Sequence, residues 1–133
     1  MTSGMQRRRG SALVVVLWAL VALSALALSA SVGAVVDLRL AVLHREHAAA
    51  LGAAEAGLAE ALAALRRDPL RAARADSVLG SGAPGSWVTR WFPVAGRLHL
   101  LSRGRSGSAA RELEVWAEPE EAGWRLAGWR EIR

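Results

Sequence analysis

The sequence predicts an α+β protein: one long N-terminal helix, apolar in its first half and amphipathic in its second, packed on a small C-terminal antiparallel sheet. Three observations predict it. Residues 11–36 carry no charge and are almost wholly apolar or small. Residues 37–67 are rich in alanine, leucine, glutamate and arginine, with apolar residues at three- and four-residue steps. Beyond residue 86 the pattern changes to short runs that alternate apolar and polar residues.

The run "SALVVVLWALVALSALALSASVGAVV" is long enough as a helix to cross a hydrocarbon core of about 30 Å at about 1.5 Å per residue. Arg7, Arg8 and Arg9 stand immediately before it, and positive charge at that place predicts a cytoplasmic N-terminus with the remainder outside. Trp18 is tolerable within the run, although its indole N–H prefers an interface or a neighbouring helix.

Residues 37–67 continue the helix outside the bilayer. Leu51, Leu58, Leu62 and Leu65, with Ala54 and Ala61 between them, make an apolar stripe. Glu55, Glu60, Arg66 and Arg67 fall off it. The two arginines suit the negative end of the helix dipole, and Pro69 after Asp68 is a stop, because the residue before proline is pushed out of the helical region. Gly33, Gly52 and Gly57 are weak points, each costing about 1 kcal/mol relative to alanine.

Residues 68–86 predict a linker with a short helical turn, rich in glycine, serine and proline. Residues 87–133 predict the sheet. "SWVTRWFPV", "RLHLLS", "ARELEVWAE" and "GWRLAGWREI" read as four strands, with turns at Ala95-Gly96, Arg103 to Ser108, and Pro119 to Gly123. Leu98, Leu100, Leu113, Val115 and Leu126 form the face that needs a cover, and the helix stripe is that cover. Five of the six tryptophans lie here, so aromatic burial is expected to contribute.

Composition excludes several classes. Without cysteine there is neither a disulfide framework nor a thiolate metal site. The net charge of +5 suggests nucleic acid at first sight. Three of the excess charges are the arginines before the membrane run, and the other 14 arginines are interspersed with 12 acids, which argues against that partner. His44 and His47 lie three apart on a helix without an evident third ligand, which predicts an ordinary polar face rather than a metal site. His99 stands alone on a strand and reads the same way. Glu55 predicts a polar contact between helix and sheet. The serines of "GSGAPGS" and "GRSGS" lack a recognisable histidine and carboxylate, and no phosphate-binding loop is present. No enzyme and no cofactor are expected.

The short basic leader ending in glycine, followed at once by an apolar helix, resembles the signal of type IV prepilins and type II secretion pseudopilins. Within that family "RGSALVVVLWALVALSALALS" and "AAEAGLAEAL" look most like PilX-type minor pilins and K-type minor pseudopilins. "WREI" and "LHLLSRGRSGSAARELEV" look more like the PilX type. The resemblance implies that residues 1–10 are a prepilin leader containing Arg7, Arg8 and Arg9. It further implies that a prepilin peptidase cuts after Gly10 and that Ser11 is the methylated first residue. It also implies an inner-membrane protein with its sheet in the periplasm, whose partners are other pilin subunits, the peptidase and the inner-membrane assembly platform. Most pilins have glutamate at the fifth mature position, where this chain has Val15, and the K type shares that absence at a filament tip. A tip or priming position is therefore implied. The extra domain and calcium ligands of the K type have no counterpart here.

Two rivals stay open from the residues alone. Ala25-Leu26-Ala27 fits a signal peptidase, which would release a secreted binding module with a tryptophan- and arginine-rich sheet. A plain single-pass anchor carrying a periplasmic binding module is the other.

Overall fold

The computed structural model describes residues 3–132, with side chains from residue 11 onward. Helix α1 spans Ser3–Arg67. A 3-10 turn follows at Pro69–Ala73, and then come β1 (Asp76–Ser81), β2 (Ser86–Val94), β3 (Arg97–Ser106), β4 (Ala109–Glu120) and β5 (Gly123–Ile132). All five strands form one antiparallel meander in sequence order, which leaves β1 and β5 as its edges. By contacts the chain divides into two units, Met1–Ala41 and Val42–Arg133.

In the first unit, the helix exposes its apolar side chains from Leu13 to Leu40. One helix among the described residues is long and apolar enough to cross a membrane.

In the second unit, helix residues from Glu46 onward meet the sheet. The helix ends where Asp68 turns away. Its N–H still donates to Ala64, while its carboxylate accepts the Leu70 N–H and caps the 3-10 turn that Pro69 opens.

The strands differ from expectation in three places. Residues 76–81, expected within the linker, form β1, tied to the preceding turn by an Arg71–Asp76 ion pair of 2.7 Å. The sheet thus has five strands and begins at Asp76 rather than at residue 87. Residues 103–106 extend β3 instead of turning. Arg103 and Arg105 project outward, and Gly104 faces the helix. The β4–β5 turn is tighter than expected, since β4 runs to Glu120 and pairs there with Gly123, the first residue of β5. At the β2–β3 turn Ala95 and Gly96 both have positive φ, as a two-residue hairpin requires.

The interior is graded in size. Along β3 the inward residues run Gly104, Ser102, Leu100 and Leu98, all buried. Across from them α1 buries Ala50, Ala54, Gly57, Ala61 and Leu65. A Cβ on Gly104 would strike the backbone of Ala50 and Ala54. One on Gly57 would lie 2.5 Å from Thr89 Oγ1 and 2.8 Å from Ser102 Oγ. The helix therefore lies against the sheet backbone at this end. Toward its C-terminal end it is held off by a core of Leu65, Trp91, Leu98, Leu100 and Val115.

This corrects the expected stripe. Ala54, Ala61 and Leu65 are buried as foreseen, but Leu51, Leu58 and Leu62 only flank the seam. Gly57 is required by close approach rather than being a weak point. Ser102 hydrogen-bonds both Thr89 Oγ1 and the Ala54 carbonyl, each at 2.7 Å, so the buried hydroxyls are satisfied.

Candidate assembly surface

Among the described residues, apolar side chains lie uncovered on the helix and at the β5 edge. The first such surface is the helix itself. Leu13, Val15, Leu17, Trp18, Leu23 and Leu26 are each more than half exposed, a pattern that suits lipid or other helices and not water. Alanine, serine and glycine between residues 19 and 34 let helices approach closely.

The expected processing residues lie at its start. The side chains of Arg7, Arg8, Arg9 and Gly10 are outside the described residues, while Ser11 is exposed. The α-helical backbone runs without a break through Gly10 and Ser11. Val15 presents an isopropyl group that is 67% exposed.

The second surface lies at the β5 edge. Leu126 was expected under the helix but is half exposed. The reason is a bulge. Ala117 pairs with Leu126 while Trp116 pairs with Gly128, which leaves Ala127 as an extra residue. Leu126 and Trp129 consequently both face the helix side, opposite buried Ala117 and Val115, although a regular strand would send them to opposite faces. The α1 seam does not reach them. Leu51 and Leu58 form the other wall of the resulting groove, with Glu55 on its rim.

Polar latches hold α1 to the sheet. Glu46 accepts the Ser108 N–H at 3.1 Å and its hydroxyl at 2.7 Å, and these bonds hold the Glu46 carboxyl below the usual carboxylate range. Glu60 accepts the Trp87 indole N–H at 2.8 Å. Glu55, expected in such a role, is exposed and makes no hydrogen bond among the described residues. Its place on the helix points it toward the groove mouth instead.

The outer face of the sheet carries charge. Glu114 accepts from Arg130 and His99, and these partners, Arg130 first, hold its carboxyl low. His99 is not the isolated residue expected. It stacks on Trp116 with ring centroids 4.3 Å apart and bonds Glu114 at 2.7 Å. His44 is exposed and His47 half-buried, and no metal-binding cluster occurs among the described residues.

Residues 9–59 match the family model described as PilX N-terminal. The match supports a type IV pilin-like minor pilin. It covers the apolar run and most of the amphipathic half of α1, less than half of the chain. No curated protein and no solved structure matches the chain. The architecture, one long N-terminal helix on a five-stranded antiparallel sheet, is pilin-like, and pilins are structural rather than catalytic proteins. The apolar helix together with the PilX-type segment fits membrane anchoring.

Proposed function

We propose that this chain is a minor pilin of a type IV pilus that acts at an end of the filament or in priming its assembly. The family match over residues 9–59, on a helix whose apolar side chains face outward, carries this reading. In it, residues 11–36 hold the subunit in the inner membrane and residues 37–67 with the sheet lie in the periplasm. The arginines at 7, 8 and 9 keep the N-terminus cytoplasmic. The prepilin peptidase removes residues 1–10 after Gly10 and methylates Ser11. The inner-membrane platform then lifts the subunit, whose apolar helix exchanges lipid for neighbouring helices.

Val15 supports the end position. A carboxylate at the fifth mature residue is expensive in lipid unless a neighbour's N-terminal amine neutralises it. A subunit without it lacks one pairing that shaft subunits make, so it suits a place where that neighbour is absent.

The mass of the mature N-terminal peptide tests the reading. A methylated Ser11 start is expected, and Gly10→Phe is expected to abolish it. A Leu28 start would instead indicate a secreted binding module, and an intact Met1 a plain anchor. Recovery in sheared pili, and not with type II secretion components, separates the pilus from a pseudopilus.

A further inference from the structure

We infer that the outer face of the sheet holds a site for an acidic polysaccharide, in which Arg90, Arg103 and Arg105 take sugar carboxylates and Glu112 takes sugar hydroxyls. The site lies wholly on β2, β3 and β4 and does not depend on the filament reading above.

The arginines of this face fall into two sets. Arg97 and Arg125 pair with Glu118, and Arg130 pairs with Glu114. Arg90, Arg103 and Arg105 are exposed and make no ion pair or hydrogen bond among the described residues. Along the chain they are interspersed with acids, but the register of β2 and β3 collects them. Arg103 lies opposite Val88 and Arg90 opposite Leu101, so the two arginines are diagonal neighbours about 7–8 Å apart. Arg105 follows Arg103 on the same face of β3 at about 7 Å. Only Ser86, Val88 and Leu101 lie between these guanidiniums, which repel one another until an anion sits among them.

Val88 and Leu101 floor a hollow of about 150 Å³, and Arg90, Arg103 and Glu112 wall it. This mixture selects the ligand. A guanidinium fork matches a carboxylate or a phosphate. Glu112, opposite Arg103 on β4, makes no ion pair among the described residues, and an ionised carboxylate only accepts hydrogen bonds. It repels a ligand whose polar atoms are all anionic oxygens and welcomes hydroxyl groups. A sugar acid carries carboxylate and hydroxyls on one ring, and the C–H face of that ring suits Val88 and Leu101. Polyphosphate and the backbone of duplex DNA offer anionic oxygens without hydroxyl donors, so Glu112 disfavours them. Arg105 lies outside the hollow and meets a second carboxylate, which calls for a polymer rather than a single sugar.

The full-length chain, solubilised in detergent and immobilised, is titrated with polygalacturonate, its methyl ester, polyphosphate and duplex DNA at about 0.15 M salt. Polygalacturonate is expected to bind roughly tenfold more tightly than polyphosphate or DNA of equal charge, and the ester, which lacks the carboxylates, not to bind. Arg90→Gln and Arg103→Gln are each expected to weaken polygalacturonate binding roughly tenfold, with Arg90→Lys intermediate because it keeps the charge and loses the fork. Arg97→Gln removes the same charge from the same face and is expected to change binding less than about twofold. Glu112→Gln should narrow the preference over polyphosphate. Arg90, Arg97 and Arg103 are exposed side chains, and an unchanged melting temperature establishes that their variants fold. An equal loss from Arg97→Gln reduces the effect to net charge and overturns the inference. Preference for polyphosphate or DNA, retention of the ester, or absence of binding overturns it too. Either result leaves the filament reading standing, because that reading is tested on the N-terminal peptide and on sheared pili.

Discussion

The hydroxyl of Ser102 on β3 donates to the carbonyl oxygen of Ala54 on α1 across 2.7 Å, joining positions 48 residues apart. Such a bond needs the helix almost in contact with the sheet backbone, which Gly57 and Gly104 allow. Gly57→Ala is expected to destabilise the protein although alanine favours helix by about 1 kcal/mol. Its methyl group would displace the hydrogen-bonded Thr89 and Ser102 hydroxyls, a crowding cost of about 1–3 kcal/mol with weakened bonds added. Gly104→Ala should cost more than Gly57→Ala, because it meets backbone rather than side-chain tips. Chemical unfolding of the detergent-solubilised chain, followed by tryptophan emission, orders the two.

Trp91 ties β2 to the 3-10 turn. It is fully buried, its indole N–H donates to the Arg71 carbonyl at 3.1 Å, and the Arg71 guanidinium lies 5.1 Å from the ring centroid. Trp91→Ala is expected to cost about 3–5 kcal/mol through the cavity it leaves. Trp91→Phe should cost about 1–3 kcal/mol, from lost volume and the lost hydrogen bond. Thermal melts of both variants test the ordering.

Acid should loosen the sheet unit. Glu46, held low by Ser108, Asp76, held low by Arg71, and Glu114, held low by Arg130, all bind protons less readily folded than unfolded. The unfolded chain therefore takes up more protons as pH falls through about 4, and stability drops there. Above the unfolded values the contribution is complete. Melting temperature is expected to be flat on this account from pH 7 to about 5 and to decline below about 4. Ser108→Ala should shallow that decline by removing the hydroxyl bond, the larger of the two that hold Glu46 low, while the backbone bond stays.

Val15→Glu is expected to change the subunit's place rather than its fold. A carboxyl within the apolar run is costly in an isolated membrane helix, at most about 2.5–3.5 kcal/mol as at the helix centre, and the cost is relieved when a neighbour's amine pairs with it. The variant should incorporate along the filament in more copies per filament, counted by immunogold labelling. An unchanged count would separate the end position from the identity of residue 15.

Much of the fold was legible because burial is periodic. The apolar run, the three- and four-residue steps of α1 and the stop at Pro69 follow from local chemistry, and four of the strands showed as alternation. β1 was not legible. In "DSVLGS" the inward residues are Asp76, Val78 and Gly80, while Leu79 is 77% exposed, so the pattern carries almost no apolar contrast. Its strand character comes from pairing with β2, a partner that no local window contains.

The candidate site was divided in the same way. Gly10, Ser11 and Val15 were singled out by resemblance to a linear motif, which is read along the chain without a fold. The Leu126–Trp129 groove was invisible, because one unpaired residue at Ala127 reverses the face of everything after it. Glu46 and Ser108 gave no signal either, being 62 residues apart.

By itself the sequence determined what depends on neighbours along the chain: a helix able to span a membrane, its amphipathic continuation, the resemblance of its leader, and the absence of cysteine. Tertiary structure alone decided which face of the amphipathic half is innermost. Alanine and leucine share its period, and the choice between them was made by Gly104, Ser102 and Thr89 across the seam, where only small groups let the backbones meet. It alone also left Leu126 and Trp129 uncovered, because bulge and register are relations between strands rather than properties of either one.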